Sequence, residues 1–305
     1  MIIDSHNHPH YHGLDASGVI AEMDEFGIDV CWLLTWCLPP AEHVPRSDLT
    51  YNPANARPDG THAGIILDDI SRSRDRYPDR FVAGYCPCPT EGNAAARLEA
   101  AATQHGIRVC GEWSYRTVLD DPRSIELFRT AGDLGMPIVL HIDTPYLPDE
   151  SGNRVYQDVW YGGEIECLER ALAACPKATF VGHAPGFWRH ISGDEGSDPK
   201  TYPDGPIAPN GKLFDLFESY PNLWADLSAG SGLTAMQRDT DRAIEFISRY
   251  QDRLLYGRDS PRNDLQEFLV TLKLSEEIQT KIYSENALKL VPLDNQVTDT
   301  LTRSV

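Results

Sequence analysis

Positive charge is scarce in this chain. Lys and Arg number 27 against 46 Asp and Glu, giving a formal net charge of −19 over 305 residues. A surface of that sign repels phosphate backbones and anionic lipid headgroups, so neither nucleic acid nor a membrane is an expected partner. Long hydrophobic runs are missing as well: the longest, about residues 30–38, contains Thr35 and falls far short of the roughly eighteen residues a membrane span requires. The first residues, MIID, read as a strand without a basic leader, which argues against a signal peptide. Seven cysteines are an odd number in a chain much longer than a disulfide-stapled domain, and Cys31, Cys37, Cys110, Cys167 and Cys175 lie mostly in apolar segments. Buried, reduced thiols in a cytoplasmic protein are the expectation. Cys86 and Cys88 form a C-x-C that lacks the spacing and the second pair of a zinc knuckle. No G-x-G-x-x-G follows the first strand-like run, which counts against an open dinucleotide-binding sheet.

What the chain does have is alternation. Strand-like runs at residues 2–5, 30–35, 81–85, 107–111, 137–142, 178–182, 222–227 and 253–256 enclose stretches of helical period at 17–26, 63–76, 93–104, 122–134, 164–174 and 234–250. This pattern implies parallel strands covered on both faces. Eight such units predict an α/β fold, a (β/α)8 TIM barrel forming a single domain over residues 1–295, followed by a polar tail at 296–305. A last helix at about 275–290 is expected to pack under the barrel. The long connections at 38–62, 143–163 and 184–210 each follow a strand and carry aromatics such as Tyr51, Tyr146, Tyr156, Trp160, Phe187 and Trp188. That assigns them to the catalytic face.

Four of the strand-like runs end on a histidine or an aspartate: MIIDSHNH at 1–8, PIVLH at 137–141, ATFVGH at 178–183 and RLLYGRD at 253–259. With about 31 residues per unit, these endings fall on strands 1, 5, 6 and 8. His6 and His8 are one residue apart and share a strand face, with α-carbons roughly 7 Å apart, so both imidazoles can reach one ion at about 2.0 Å. His10 and His12 continue the period, but Pro9 ends the strand before them. His141 and Asp259 complete a set of three nitrogens and one carboxylate, which suits zinc with an open position for water and also admits manganese or iron. Glu112 ends the fourth run and has three readings: bridging a second ion, binding substrate, or pairing with Arg116. Arg116, Trp113 and Arg258 are further substrate-contact candidates, and for Arg258 a salt bridge is favoured over a substrate clamp.

Together, the H-x-H at His6 and His8, His141, the V-G-H-A at His183, the Y-G-R-D-S-P around Asp259 and the E-N-A-L-K-L near Asn286 resemble the amidohydrolase superfamily. The likeness is to its amidohydrolase family 2 branch, which includes aminocarboxymuconate semialdehyde decarboxylase-like enzymes, and it runs over nearly the whole chain. The resemblance implies that His6, His8, His141 and Asp259 hold one divalent metal ion. It makes His183 a catalytic base or polarising group and lets Asp259 take a proton from the attacking water. Two-metal members of the superfamily bridge their ions with a carboxylated lysine or a glutamate; no lysine ends the fourth run here, so a mononuclear site is expected. The implied function is metal-dependent hydrolysis of an ester, lactone or amide in a small molecule. Nonoxidative decarboxylation of a small carboxylic acid is the alternative, ahead of a phosphoesterase or a non-catalytic metal-binding barrel. The loop aromatics are compatible with a homodimer.

Overall fold

The computed structural model describes residues 1–42, 52–194 and 197–293. Tyr51 and the tail expected at 296–305 lie outside the described residues. Eight parallel strands alternate with helices: β1 (Ile3–Asn7), β2 (Val30–Leu33), β3 (Phe81–Ala83), β4 (Cys110–Trp113), β5 (Pro137–His141), β6 (Thr179–His183), β7 (Leu223–Asp226) and β8 (Leu254–Leu255). The order β1-β2-β3 forms one sheet and β4 to β8 the other. Backbone bonds complete the ring. Gly84 bridges Val109 between β3 and β4, and on the other side Ser5 N–H donates to Tyr256 O (2.9 Å) and Asp259 N–H to His6 O (2.8 Å).

The interior of the ring is a dry cluster drawn from every strand: Ile3, Val30, Trp32, Val82, Val109, Val139, Val181, Trp224 and Leu255. Residues of opposite parity, such as Cys31, Leu33, Cys110, Ile138, Leu140 and Phe180, belong to the larger cluster shared with the helices. Each strand is therefore apolar on both faces, the expectation for a parallel sheet wrapped by helices. The helical stretch from Glu276 to Leu290, which includes a π turn at Lys281–Glu285, closes the floor: Ala287 and Val291 join the interior cluster, and Tyr256 N–H donates to Ile282 O.

Several sequence expectations are corrected. The single helix expected at 234–250 is two, Ala229–Gln237 and Thr240–Tyr250, because Asp239 caps the second by accepting from Arg242 N–H. The helix expected from residue 63 begins at Leu67. Before it, Gly64–Ile65 pairs antiparallel with Trp36–Cys37, and a Cβ on Gly64 (φ 77°) would lie 2.1 Å from Trp36 O. Helices Lys212–Ser219 and Asp264–Thr271 were not expected. All three long connections carry structure of their own: 3-10 turns at Pro40–Glu42 and Pro53–Asn55, a β-pair of Tyr146–Pro148 with Arg154–Tyr156, and a helical turn at Pro185–Trp188. No described helix is long and apolar enough to cross a membrane.

Candidate metal centre

Pleating decides which side chains reach the mouth of the barrel. In β5, β6 and β7 the interior residues Val139, Val181 and Trp224 are followed two positions later by His141, His183 and Asp226, which therefore also face inward. In β1 the count differs, because Ile3 is interior and His6 lies three positions on. The pairing of β1 with β2 shifts register between Asp4 and Asn7, and that irregularity turns His6 and His8 inward. Likewise Val109 is interior and Glu112 three positions beyond, across a register shift between Cys110 and Trp113.

Both irregular stretches have their polar groups compensated. Asp4 accepts from His6 N–H (3.2 Å), Asn7 Nδ2 (3.1 Å), Arg258 N–H (2.9 Å) and Arg258 Nε (2.8 Å). Beside β4, Thr35 exchanges backbone bonds with Gly111 and Glu112, at 3.1 and 2.8 Å.

Six of the anticipated residues converge. Glu112 lies in the middle, with Oε1 at 3.6 Å from His6 Nε2, 2.9 Å from His141 Nδ1 and 3.9 Å from His183 Nε2, and Oε2 at 3.6 Å from His8 Nε2. Asp259 Oδ1 is 3.6 Å from His8 Nε2, and its Oδ2 is 3.6 Å from His183 Nε2. Behind the imidazoles stand acceptors. His8 Nδ1 meets Leu34 O (2.8 Å) and His141 Nε2 meets Asp143 Oδ2 (3.0 Å), while His6 and His183 turn Nδ1 toward Asp226. A ring nitrogen facing a carbonyl or carboxylate carries the proton, so the other nitrogen of each ring is left to face the centre.

Two overlapping groups have ligand atoms within 4.8 Å of one another: His6, Glu112 and His183, and His6, His8 and Asp259. His6 Nε2, His8 Nε2, Glu112 Oε2 and Asp259 Oδ1 are buried without a hydrogen-bond partner. Four orphaned acceptor atoms around one point are costly to bury and suit a cation. Electrostatics agree. Burial pushes the Glu112 carboxyl up, but His141, His6 and His8 hold it well below the ordinary carboxylate range. Burial pushes His8 down. His141 is pushed down by burial but raised more strongly by Glu112 and Asp143, to about 10, so without an ion its Nδ1 carries a proton toward Glu112. A divalent ion held there would take that proton's place.

The other candidates lie elsewhere. Trp113 is fully buried facing outward against Tyr115 and Phe128, as the residue after an inward Glu112 must. Arg258 is buried in an ion pair with Asp4 (2.8 Å), with Glu22 at 3.5 Å, the salt bridge favoured for it. Arg116 donates its backbone N–H to Glu42 (3.0 Å); among the described residues Glu112 pairs with imidazoles and not with Arg116. Sequence reasoning missed Asp143 and Asp226. Asp226 had a readable signal, since β7 also ends on an acid, obscured by extending that run to Leu227. Above the centre opens a cavity of about 760 Å³, walled by Tyr11, Trp36, Tyr161 and Tyr202 and edged by Arg262. The aromatics anticipated from the loops are placed differently: Phe187 and Trp188 are core residues, and Tyr156 is 55% exposed.

The sequence matches the amidohydrolase family over residues 3–293. The chain belongs to the amidohydrolase family. It is an enzyme of that metal-dependent family, acting on a small molecule, and its expected class is confirmed. A search of curated proteins finds no match. Among solved structures, the family member is similar to an uncharacterised TIM-barrel protein of Bordetella bronchiseptica, with 18% identity, TM-score 0.61, and 95% of this chain and 98% of that one covered. It is also similar to a probable 2-pyrone-4,6-dicarboxylic acid hydrolase of Acinetobacter baumannii, with 15% identity, TM-score 0.54 and coverage of 95% and 98%. A third is a 5-carboxyvanillate decarboxylase of Novosphingobium aromaticivorans complexed with manganese, with 18% identity, TM-score 0.52 and coverage of 92% and 82%.

Proposed function

We propose that this family member is a hydrolase that adds water to an ester, lactone or amide carbon of a small organic substrate, using one divalent ion, zinc by preference. His6, His8, His141 and Asp259 hold the ion, with Glu112 as a further carboxylate ligand. A bound ion would supply Lewis acidity, polarising a carbonyl oxygen and bringing the pKa of a water toward neutrality. The observation that carries the reading is Asp259, whose two oxygens each lie 3.6 Å from a different imidazole, His8 on the ligand side and His183 opposite. One oxygen is thus available to the ion while the other accepts the proton of attacking water. His183 then passes a proton between Asp259 and the leaving group. Three nitrogens with carboxylates favour zinc, and the manganese of the decarboxylase neighbour keeps that ion as the comparison.

A second reading, nonoxidative decarboxylation, rests on the aromatic walls of the cavity, which suit a flat aromatic acid. Both readings have the enzyme working in the cytoplasm, away from nucleic acid and membranes. Metal-loaded protein assayed in H2(18)O on a panel of esters, lactones, amides and small aromatic carboxylic acids separates them. Hydrolysis incorporates one labelled oxygen into the acid product and releases no carbon dioxide. Release of carbon dioxide from an acid, with no label in the organic product, transfers the assignment to decarboxylation, and turnover unaffected by a chelator overturns both.

A further inference from the structure

Asp226 is fully buried at the end of β7 and touches the centre only through other residues. Its Oδ2 lies 3.0 Å from His6 Nδ1, and its Oδ1 lies 2.9 Å from His183 Nδ1. Oδ1 also accepts from the Ser228 backbone N–H (3.1 Å) and the Ser228 hydroxyl. The backbone of Asp226 is itself pinned, with Trp188 Nε1 donating to its carbonyl at 3.1 Å. One carboxylate therefore ties together β1, β6 and β7, and both of its oxygens are committed to an imidazole that faces the metal centre.

We propose that Asp226 is a positioning residue for two histidines at once, fixing the Nδ1-protonated tautomer of His6 and His183 so that both present an Nε2 lone pair to the centre. An ionised carboxylate only accepts, so each ring must donate from Nδ1. Ser228 gives its hydroxyl proton to Asp226 and so meets His183 Nδ1 (2.9 Å) as an acceptor, which demands the same tautomer. A single anion thus aligns an ion-holding ring and a proton-handling ring. This rests on the ion-binding part of the proposed function and not on which bond is broken.

The test uses zinc as probe on the full chain. Asp226→Asn keeps the shape but offers one acceptor oxygen, so one of the two rings faces an amide donor and must change tautomer or turn away. Zinc affinity, measured by competition with a chromophoric chelator, is expected to fall about 10- to 100-fold, while the metal-free melting temperature changes by the same amount as that of the zinc-loaded form only if Asp226 is merely structural. Independently of whether that variant folds, (15)N spectra of the zinc-loaded wild type are expected to report Nδ1–H in both His6 and His183. Wild-type zinc affinity in Asp226→Asn, or an Nε2–H tautomer in either ring, overturns the proposal. Neither readout involves turnover, so failure here is distinguishable from failure of the hydrolase reading.

Discussion

The two flanks of the metal centre are built differently. β5 and β6 are regular, pairing residue for residue from Thr179 with Pro137 up to His183 with His141, so both histidines are delivered by alternation alone. β1 and β4 deliver His6, His8 and Glu112 only because each breaks register just below the mouth. On the regular flank, a two-residue rule read from the sequence gives the facing of each side chain. On the irregular flank the facing depends on one extra residue and on the polar groups that stabilise it, Asp4 under β1 and Thr35 beside β4. Regular strands make the site readable, and irregular ones bring three of the four unpartnered atoms to a point that strict pleating does not reach.

The comparison breaks most completely if the ligand atoms of the irregular flank are removed. His6→Ala together with His8→Ala takes away both imidazoles that β1 delivers across its register shift. Bound metal, read by elemental analysis of protein purified without chelator, is expected to fall to near zero while far-ultraviolet circular dichroism retains its helical signal. A smaller effect follows from Asp4→Asn, which removes the nearer charge partner of buried Arg258 and leaves it Glu22 at 3.5 Å. That loss is expected to destabilise by about 3–5 kcal/mol, read as a lower urea midpoint, and to weaken metal binding with it. The regular flank should separate the two quantities: Val181→Ala in the interior is expected to reduce stability by about 2 kcal/mol while leaving metal stoichiometry unchanged. Smaller still is the response to the ion itself. Metal at about 10 times its Kd stabilises by about 1.4 kcal/mol, which for a chain of this size raises Tm by roughly 2 °C, and a chelator should reverse the shift in a melting curve.

How much could be read beforehand follows the same division. The eight strands were legible because runs such as PIVLH and ATFVGH are apolar on both faces, and His141 and His183 stand where those runs end. His6 and His8 were legible as a pair, since their spacing is independent of which face they take. Glu112 was left with three readings, because whether it points inward depends on a register shift that leaves no mark in composition. Trp113 stood between pocket lining and packing, and it packs: the immediate neighbour of an inward residue on a strand points outward, here against Phe128. For Arg258 a salt bridge was the favoured reading, and its ion pair with Asp4 agrees. Asp143 and Asp226 act through imidazoles, and only their contacts with His141, His6 and His183 distinguish them from the chain's many other acids.

The seam between β1 and β8 has a consequence for how the enzyme comes into being. Ser5 and His6 bond to Tyr256 and Asp259 across some 250 positions of chain, so the first and last of the residues proposed to hold the ion become neighbours only when the eighth unit docks. A ribosome-bound chain lacking that unit holds an H-x-H with no carboxylate from beyond β8 to share an ion. On that proposal, loading with metal would be a closing event in biogenesis, after the last unit has docked.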